Sequence, residues 1–311
     1  MHVIFHSYSQ PHFGLSESDW LLLQREVEHV VHSAWPVDFC MPLSYFEPSI
    51  SLTVQLMELC KSSDRSPTFV FISSVGSVIS NSEEIIPEKI VRDWLRAETM
   101  GYTQSKLVAE RLIAATAANH GVKSIICRIG QLGGVLNHDI WNDKAPCWPE
   151  KEWLPAMLAT SVQLGAVPSS LDSLDRIDWM PVDVTAAVVC DIMSAGSHEA
   201  CQVYNIVNPH TITWTELLPE LSSFGASKRV ALLDWIRLLK EHIETDQERC
   251  SAATGLVDFF ESACATGKGK PLIDCSKSLA LSPTLQGAQG ISVDLMERWI
   301  GQWSFSRRMW V

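Results

Sequence analysis

The run Thr68-Phe69-Val70-Phe71-Ile72-Ser73-Ser74 is apolar, of strand length and without alternation. That is the pattern of a strand covered on both faces. Strand and helix signals alternate around it. Residues 2–6 (HVIFH) and 29–34 (HVVHSA) read as strands. Ser16, with Asp19 three residues on, is a capping pattern that opens a helix through about Glu26. Leu52, Leu56 and Leu59 fall on one face of a helix expected over 49–60. A long helix is expected over 101–119, closed by Gly121 in a left-handed cap. Ser124 to Ile129 is again a strand. This succession predicts an α/β fold with a parallel sheet and helices on both faces.

After Gly134 the pattern changes. Residues 135–180 are rich in Trp, Pro and Asp, with a helix near 151–164. Further helices are expected at 182–194, 213–222, 232–243, 253–264 and 292–303, and a strand at 203–206. The organisation predicted is a truncated Rossmann-like core over 1–134. Residues 135–311 then carry the rest of the core, completed near 177–207, and a small, mostly helical C-terminal cap. The tryptophans that recur near prolines and acids (Trp148, Trp153, Trp179) suggest an aromatic-lined cleft, although core packing is their commoner use.

Composition excludes several classes of partner. The net charge of -12 argues against nucleic acid and anionic membranes. No apolar run reaches the ~18 residues a membrane span needs. The first residues lack the basic and apolar parts of a signal peptide. The nine cysteines are scattered without a CxxC pair, as expected for reduced thiols of a cytoplasmic protein. His29 and His32, three apart on a strand, point to opposite faces, so no metal site is expected. No GxSxG elbow marks a hydrolase.

The chemistry is expected where the long helix begins. Tyr102 and Lys106 are four residues apart and share a face. A free phenol titrates near pH 10. An ammonium within roughly 4–6 Å is expected to lower that by about 1–3 units and make the phenol a usable proton donor or acceptor. Ser74, or less favourably Ser73, ends the preceding strand, where ligands of open α/β sheets bind. Its hydroxyl would hold a substrate carbonyl. Arg128 and Gln131 lie at and beyond the next strand end. They are candidates to face the same cleft, with a salt-bridged structural role equally open for Arg128. Trp141, Asn142 and Trp179 are candidates for the substrate wall, or for packing the cap.

These residues carry a resemblance. GYTQSKLVAERLI with Arg128-Ile129-Gly130-Gln131-Leu132-Gly133-Gly134 resembles the thioester-reductase domain of fungal adenylate-forming reductases and nonribosomal-peptide-synthetase-like enzymes. These are extended short-chain dehydrogenases. His32-Ser33-Ala34-Trp35-Pro36-Val37-Asp38-Phe39 is similar to the family's HNAWPVDF. Asp139-Ile140-Trp141-Asn142 and Ile177-Asp178-Trp179-Met180-Pro181-Val182-Asp183 are similar to its GxWN and DWxPVD stretches. Val207-Asn208-Pro209, Trp299 and Trp303 also fit. The resemblance implies Ser74, Tyr102 and Lys106 as catalytic residues, an NADPH cofactor, and a carrier-protein-bound or small-molecule carbonyl substrate.

The sequence also departs from that family. The family's front strands and GxxGxxG turn have no counterpart here. Its DLSQP reads Ser7-Tyr8-Ser9-Gln10-Pro11, and its HNAW has Ser33 for Asn. The cluster Gly130–Gly134 follows a late strand and lacks the phosphate-binding spacing. Losing about three charge-assisted hydrogen bonds to a pyrophosphate costs on the order of 5–9 kcal/mol. A micromolar site would then weaken past millimolar. The expectation is therefore no bound cofactor, with NADPH as the alternative. The leading function is a redox-independent enzyme of fungal secondary metabolism acting by cyclisation, condensation, isomerisation or dehydration. An NADPH-dependent reductase and a non-catalytic partner of a synthase are the alternatives. The strand at 29–34 would be a bare edge, to be covered by residues 2–6 or by a second copy in a homodimer.

Overall fold

The computed structural model describes residues 10–39, 41–80, 85–137, 148–196, 199–221, 228–245, 256–261, 264 and 271–303. Its contacts divide the chain into two units interleaved in sequence. The first comprises 1–130, 188–206 and 271–286. The second comprises 131–187, 207–270 and 287–311.

The first unit is built on four parallel strands: β1 (His29–His32), β2 (Thr68–Ser74), β3 (Ser124–Ile129) and β4 (Cys201–Ile206), in that spatial order. The parallel sheet read from the apolar runs is thus present. β3 is buried along its whole length, which explains its lack of alternation. The register sets Ile72 beside Cys127, Ser73 beside Arg128 and Arg128 beside Asn205. β1 is an edge, and among the described residues nothing pairs with its outer side. Residues 2–6, expected as a strand, lie outside the described residues.

Helices α1 (Glu17–Glu26), α2 (Glu47–Ser62) and α3 (Gly101–His120) belong to this unit. The Ser16 hydroxyl accepts from Asp19 N and caps α1 as predicted. Pro48 occupies the first turn of α2, where its missing N–H costs nothing. Gly121 ends α3 at φ +70°, its N–H donating to Ala117 O. Phe46, Met57, Phe69, Phe71, Ile113 and Ile126 pack between sheet and helices.

Segment 271–286 is tied to this sheet through a carboxylate that the sequence reading passed over. Glu88 is buried and accepts from Asn205 N (3.0 Å), Ser278 N (3.1 Å) and Lys277 N (2.5 Å). Asn205 Nδ2 donates to Ile86 O and Asp274 O.

The second unit contains α4 (Trp153–Leu164), α5 (Leu232–Thr245) and α6 (Val293–Gln302). It also holds short two-stranded pairs, such as Ala166–Pro168 with Lys228–Val230. Its core corrects the reading of the tryptophans as a cleft lining. Trp148, Trp179, Trp214, Trp235, Trp299 and Trp303 are all buried in one cluster. Five of these indole N–H groups are matched to acceptors: Trp148 to Glu152, Trp214 to Pro168 O, Trp235 to Ala166 O, Trp299 to Val135 O and Trp303 to Trp148 O. A buried indole needs such a partner. The expected helix over 213–222 is one short α turn, Trp214–Leu217, followed by a 3-10 turn, Leu218–Glu220. Pro219 breaks the ladder. Of the helix expected at 253–264, residues 256–261 are helical, and 253–255 and 262–263 lie outside the described residues. No described helix is long and apolar enough to cross a membrane.

Candidate active site

β2 ends at Ser74, where the chain turns through the 3-10 segment Val75–Ser77. Ser74 Oγ accepts from Gly76 N at 3.2 Å, which leaves its own proton for another acceptor. A Cβ on Gly76 would lie 2.8 Å from both Glu98 Oε2 and Thr103 Cγ2, so a side chain here requires those neighbours to shift.

α3 begins under a strand of backbone. A Cβ on Gly101 would lie 2.3 Å from Met41 O and 2.5 Å from Leu43 N. Tyr102 follows, with the Phe39 ring edge-on at 5.3 Å and Phe46 at 6.1 Å. Burial pushes its phenol up to about 12. One turn on, Lys106 is 2% exposed, and its Nζ donates to Ile72 O at 2.6 Å. The Trp35, Phe71 and Tyr102 ring centroids stand 4.4, 4.7 and 5.7 Å from that nitrogen. Burial lowers the amine to about 7, against the opposing charge of Glu110.

Tyr102 and Lys106 therefore share a face, as the spacing requires, but the expected tuning is corrected. The ammonium is bonded to the Ile72 carbonyl, and desolvation moves the phenol upward, not downward. At neutral pH Tyr102 is a proton donor.

Glu110 is the residue that sequence reasoning missed. It lies one further turn along the same face (102, 106, 110), and that spacing was the available signal. Its carboxylate accepts from Ser73 Oγ (2.6 Å), Ser77 Oγ (2.8 Å), Arg128 Nε (3.1 Å) and Arg128 Nη2 (2.7 Å). Arg128 also donates to Pro87 O and Lys89 O. Ser73 and Arg128 are thus engaged in a buried cluster, the salt-bridged role left open for Arg128. A guanidinium on a fully buried strand has to be paired.

The remaining candidates belong to the second unit or lie outside the described residues. Gln131 belongs to the second unit, donating to Leu132 O and accepting from Trp153 Nε1. Trp179 packs edge-on against Trp148 and Trp153. Trp141 and Asn142 lie outside the described residues. His32 is buried beside Trp35 and Phe71 and held neutral, lowered to about 4 by burial and then by Lys106. His29, on the other face of β1, is exposed.

Residues 1–189 match the NAD-binding family described as male sterility protein. The chain belongs to that family. Its fold is that of the extended short-chain dehydrogenases. A carboxylic acid reductase of Neurospora crassa is 28% identical over 314 residues, covering 96% of this chain and 29% of its own length. The adenylate-forming reductase Nps9 of Serpula lacrymans is 31% identical over 319 residues, covering 93% and 28%. The chain thus spans less than a third of either relative. Among solved structures, the terminal R domain from the myxalamid PKS-NRPS pathway superposes with a TM-score of 0.78 at 22% identity. That match covers 99% of this chain and 75% of that one.

A family named for NAD binding raises the question of a dinucleotide, and three of the described glycines sit in crowded positions. A pyrophosphate needs open backbone N–H groups at a glycine turn and helix start. Gly101, at the start of α3, is covered by the Met41–Leu43 backbone, and Gly76 faces the Glu98 carboxylate. Gly133, in the second unit, is packed on the Trp299 ring. Lys106 is turned to Ile72 O.

Proposed function

We propose that this chain is a carbonyl-processing enzyme of fungal secondary metabolism. It acts on a thioester, aldehyde or ketone intermediate by oxyanion stabilisation and proton transfer, without hydride transfer. The observation that carries the reading is geometric: Tyr102 and Lys106 lie one turn apart on one face of α3, with Lys106 Nζ 5.7 Å from the Tyr102 ring centroid, and burial pushes the phenol up to about 12 and the amine down to about 7. Environments that push a pair apart assign the acid and the base. Tyr102 donates to the developing oxyanion, and Lys106, titrating near neutrality, takes up and returns the proton. Ser74, whose hydroxyl accepts from Gly76 N and has no acceptor of its own among the described residues, donates to the same oxygen. Such donors contribute about 10²–10³ each and a positioned acid about 10²–10⁴. Cyclisation, condensation, isomerisation and dehydration all need these parts and no reductant. Delivery by a carrier protein is supported by the likeness to the R domain of a PKS-NRPS pathway.

A second reading, an NADPH-dependent thioester or aldehyde reductase, is favoured by the NAD-binding family and by relatives named reductases. One experiment separates the two. The purified chain is given a pantetheine-linked acyl thioester or the matching aldehyde, with and without NADPH, and products are weighed by mass spectrometry. Product formed without NADPH and lost in Tyr102→Phe supports the first reading: an isomer, the substrate short of one water, or a cyclised product short of the released pantetheine thiol. A gain of two hydrogens that depends on NADPH, with low-micromolar cofactor affinity, overturns it. Turnover unchanged in Tyr102→Phe overturns any role for the phenol.

A further inference from the structure

Trp35 stands where two lines of contact to Tyr102 and Lys106 meet. Its indole N–H donates to Ser105 Oγ at 3.2 Å, and Ser105 Oγ donates to the Tyr102 carbonyl at 2.6 Å. Its ring face lies 4.4 Å from Lys106 Nζ. The indole is itself fixed edge-on against Phe71 at 5.5 Å. We propose that Trp35 is a positioning residue for the pair. Its face keeps the Lys106 amine chargeable beside Tyr102, and its N–H, through Ser105, fixes the first turn of α3. The proposal deepens the reading of Tyr102 and Lys106 as the working pair and rests on it for its effect on turnover.

The physical case comes from what else faces the amine. Burial drives Lys106 toward the neutral form. On α3, Glu110 is engaged by Arg128 of β3, and Tyr102 is neutral. β1 contributes His32, held neutral. β2 contributes the Ile72 carbonyl and the Phe71 ring. Cys60 of α2 and Cys201 of β4, in the same apolar cluster as Phe71, are thiols pushed up to about 12 and uncharged. The indole face, together with the Phe71 ring, therefore adds negative potential at the ammonium to that of the Ile72 carbonyl and the Glu110 carboxylate. A cation over an indole is favoured more strongly when desolvated.

The test reads the amine directly. The full chain is labelled with ¹³C,¹⁵N-lysine, and the Lys106 side-chain signal, assigned by its loss in Lys106→Met, is followed against pH. Trp35→Leu is expected to lower its titration by about 0.5–1.5 pH units, and Trp35→Phe, which restores a ring face, to recover most of that fall. A titration unmoved in Trp35→Leu, or lowered equally in both variants, overturns the proposal. If Trp35→Leu does not fold, protein grown on fluorinated tryptophan keeps the shape and thins the ring's negative face. An unmoved Lys106 titration in that folded protein is equally fatal. Ser105→Ala is expected to lower turnover with the Lys106 titration unmoved. Since the titration needs no substrate, failure of the carbonyl chemistry and failure of the Trp35 role are read separately.

Discussion

Arg128 and Glu110 form a closed ion pair inside the first unit, 2.7 Å from Nη2 to Oε2, with neither side chain more than 1% exposed. The pair joins β3 to the face of α3 that carries Tyr102 and Lys106, and Ser73 joins it to β2. Removing one partner leaves an uncompensated buried charge. Glu110→Gln is expected to cost about 3–5 kcal/mol of stability, read from the urea midpoint at unchanged slope. A change below about 1 kcal/mol, the range of exposed pairs, would show that the guanidinium finds other compensation.

That pair also marks what could be read in the sequence. Tyr102, Lys106, the two central strands and the Gly121 cap were legible because each obeys a local rule: helical spacing, an unbroken apolar run, a left-handed terminus. Glu110 obeyed the same spacing, but a carboxylate in a helix is ordinarily solvated, and only tertiary packing decides its burial. Arg128 was a candidate for the cleft by nearness to a strand end, yet side-chain direction comes from register, which sets it beside Ser73 and Asn205. Trp148 and Trp179 show that composition cannot separate a cleft lining from a core. The two-residue strands of the second unit are too short to show a period.

Tyr102→Phe separates chemistry from packing. The ring is held by Phe39 and Phe46, and phenylalanine keeps both contacts. Among the described residues no hydrogen bond holds the hydroxyl, so stability should change by less than about 0.5 kcal/mol. Turnover should fall by about 10²–10⁴. Thermal unfolding and the mass-spectrometric assay on the same preparation check both halves.

Lys106 makes stability depend on pH in a defined window. The folded amine titrates near 7, the unfolded one at 10.5. Between those values the unfolded chain holds a proton that the folded chain has lost, so stability rises with pH. The contribution is complete above 10.5, is lost as pH falls through 7, and is flat below. Cys60 and Cys127, raised from 9, act in the opposite sense above pH 9, and His32, lowered to about 4, acts below 6.5. From pH 7 to 9 the wild-type stability should therefore climb relative to Lys106→Met, by at most about 1.4 kcal/mol per unit. Urea titrations of both proteins at each pH measure the difference. Parallel curves would mean that the folded amine stays charged.

Gly101→Ala tests how tightly the start of α3 is closed. Alanine favours a helix over glycine by about 1 kcal/mol, so propensity alone predicts a gain. Against it, the new Cβ would lie 2.3 Å from Met41 O and 2.5 Å from both Leu43 N and Pro42 C. These are backbone atoms that cannot rotate away, and forcing an extra carbon into a packed site costs about 1–3 kcal/mol. The clash should win, giving a net loss of stability. Residues 41–43 must then move, and with them Phe39, which packs on Tyr102, so turnover should fall as well. Gly121→Ala is the contrast. It meets nothing within 4 Å, but its backbone sits at φ +70°. It should cost about 1–2 kcal/mol through left-handed strain and leave turnover intact. A Gly101→Ala protein as stable and active as the parent would mean that the 41–43 backbone does not close over the helix.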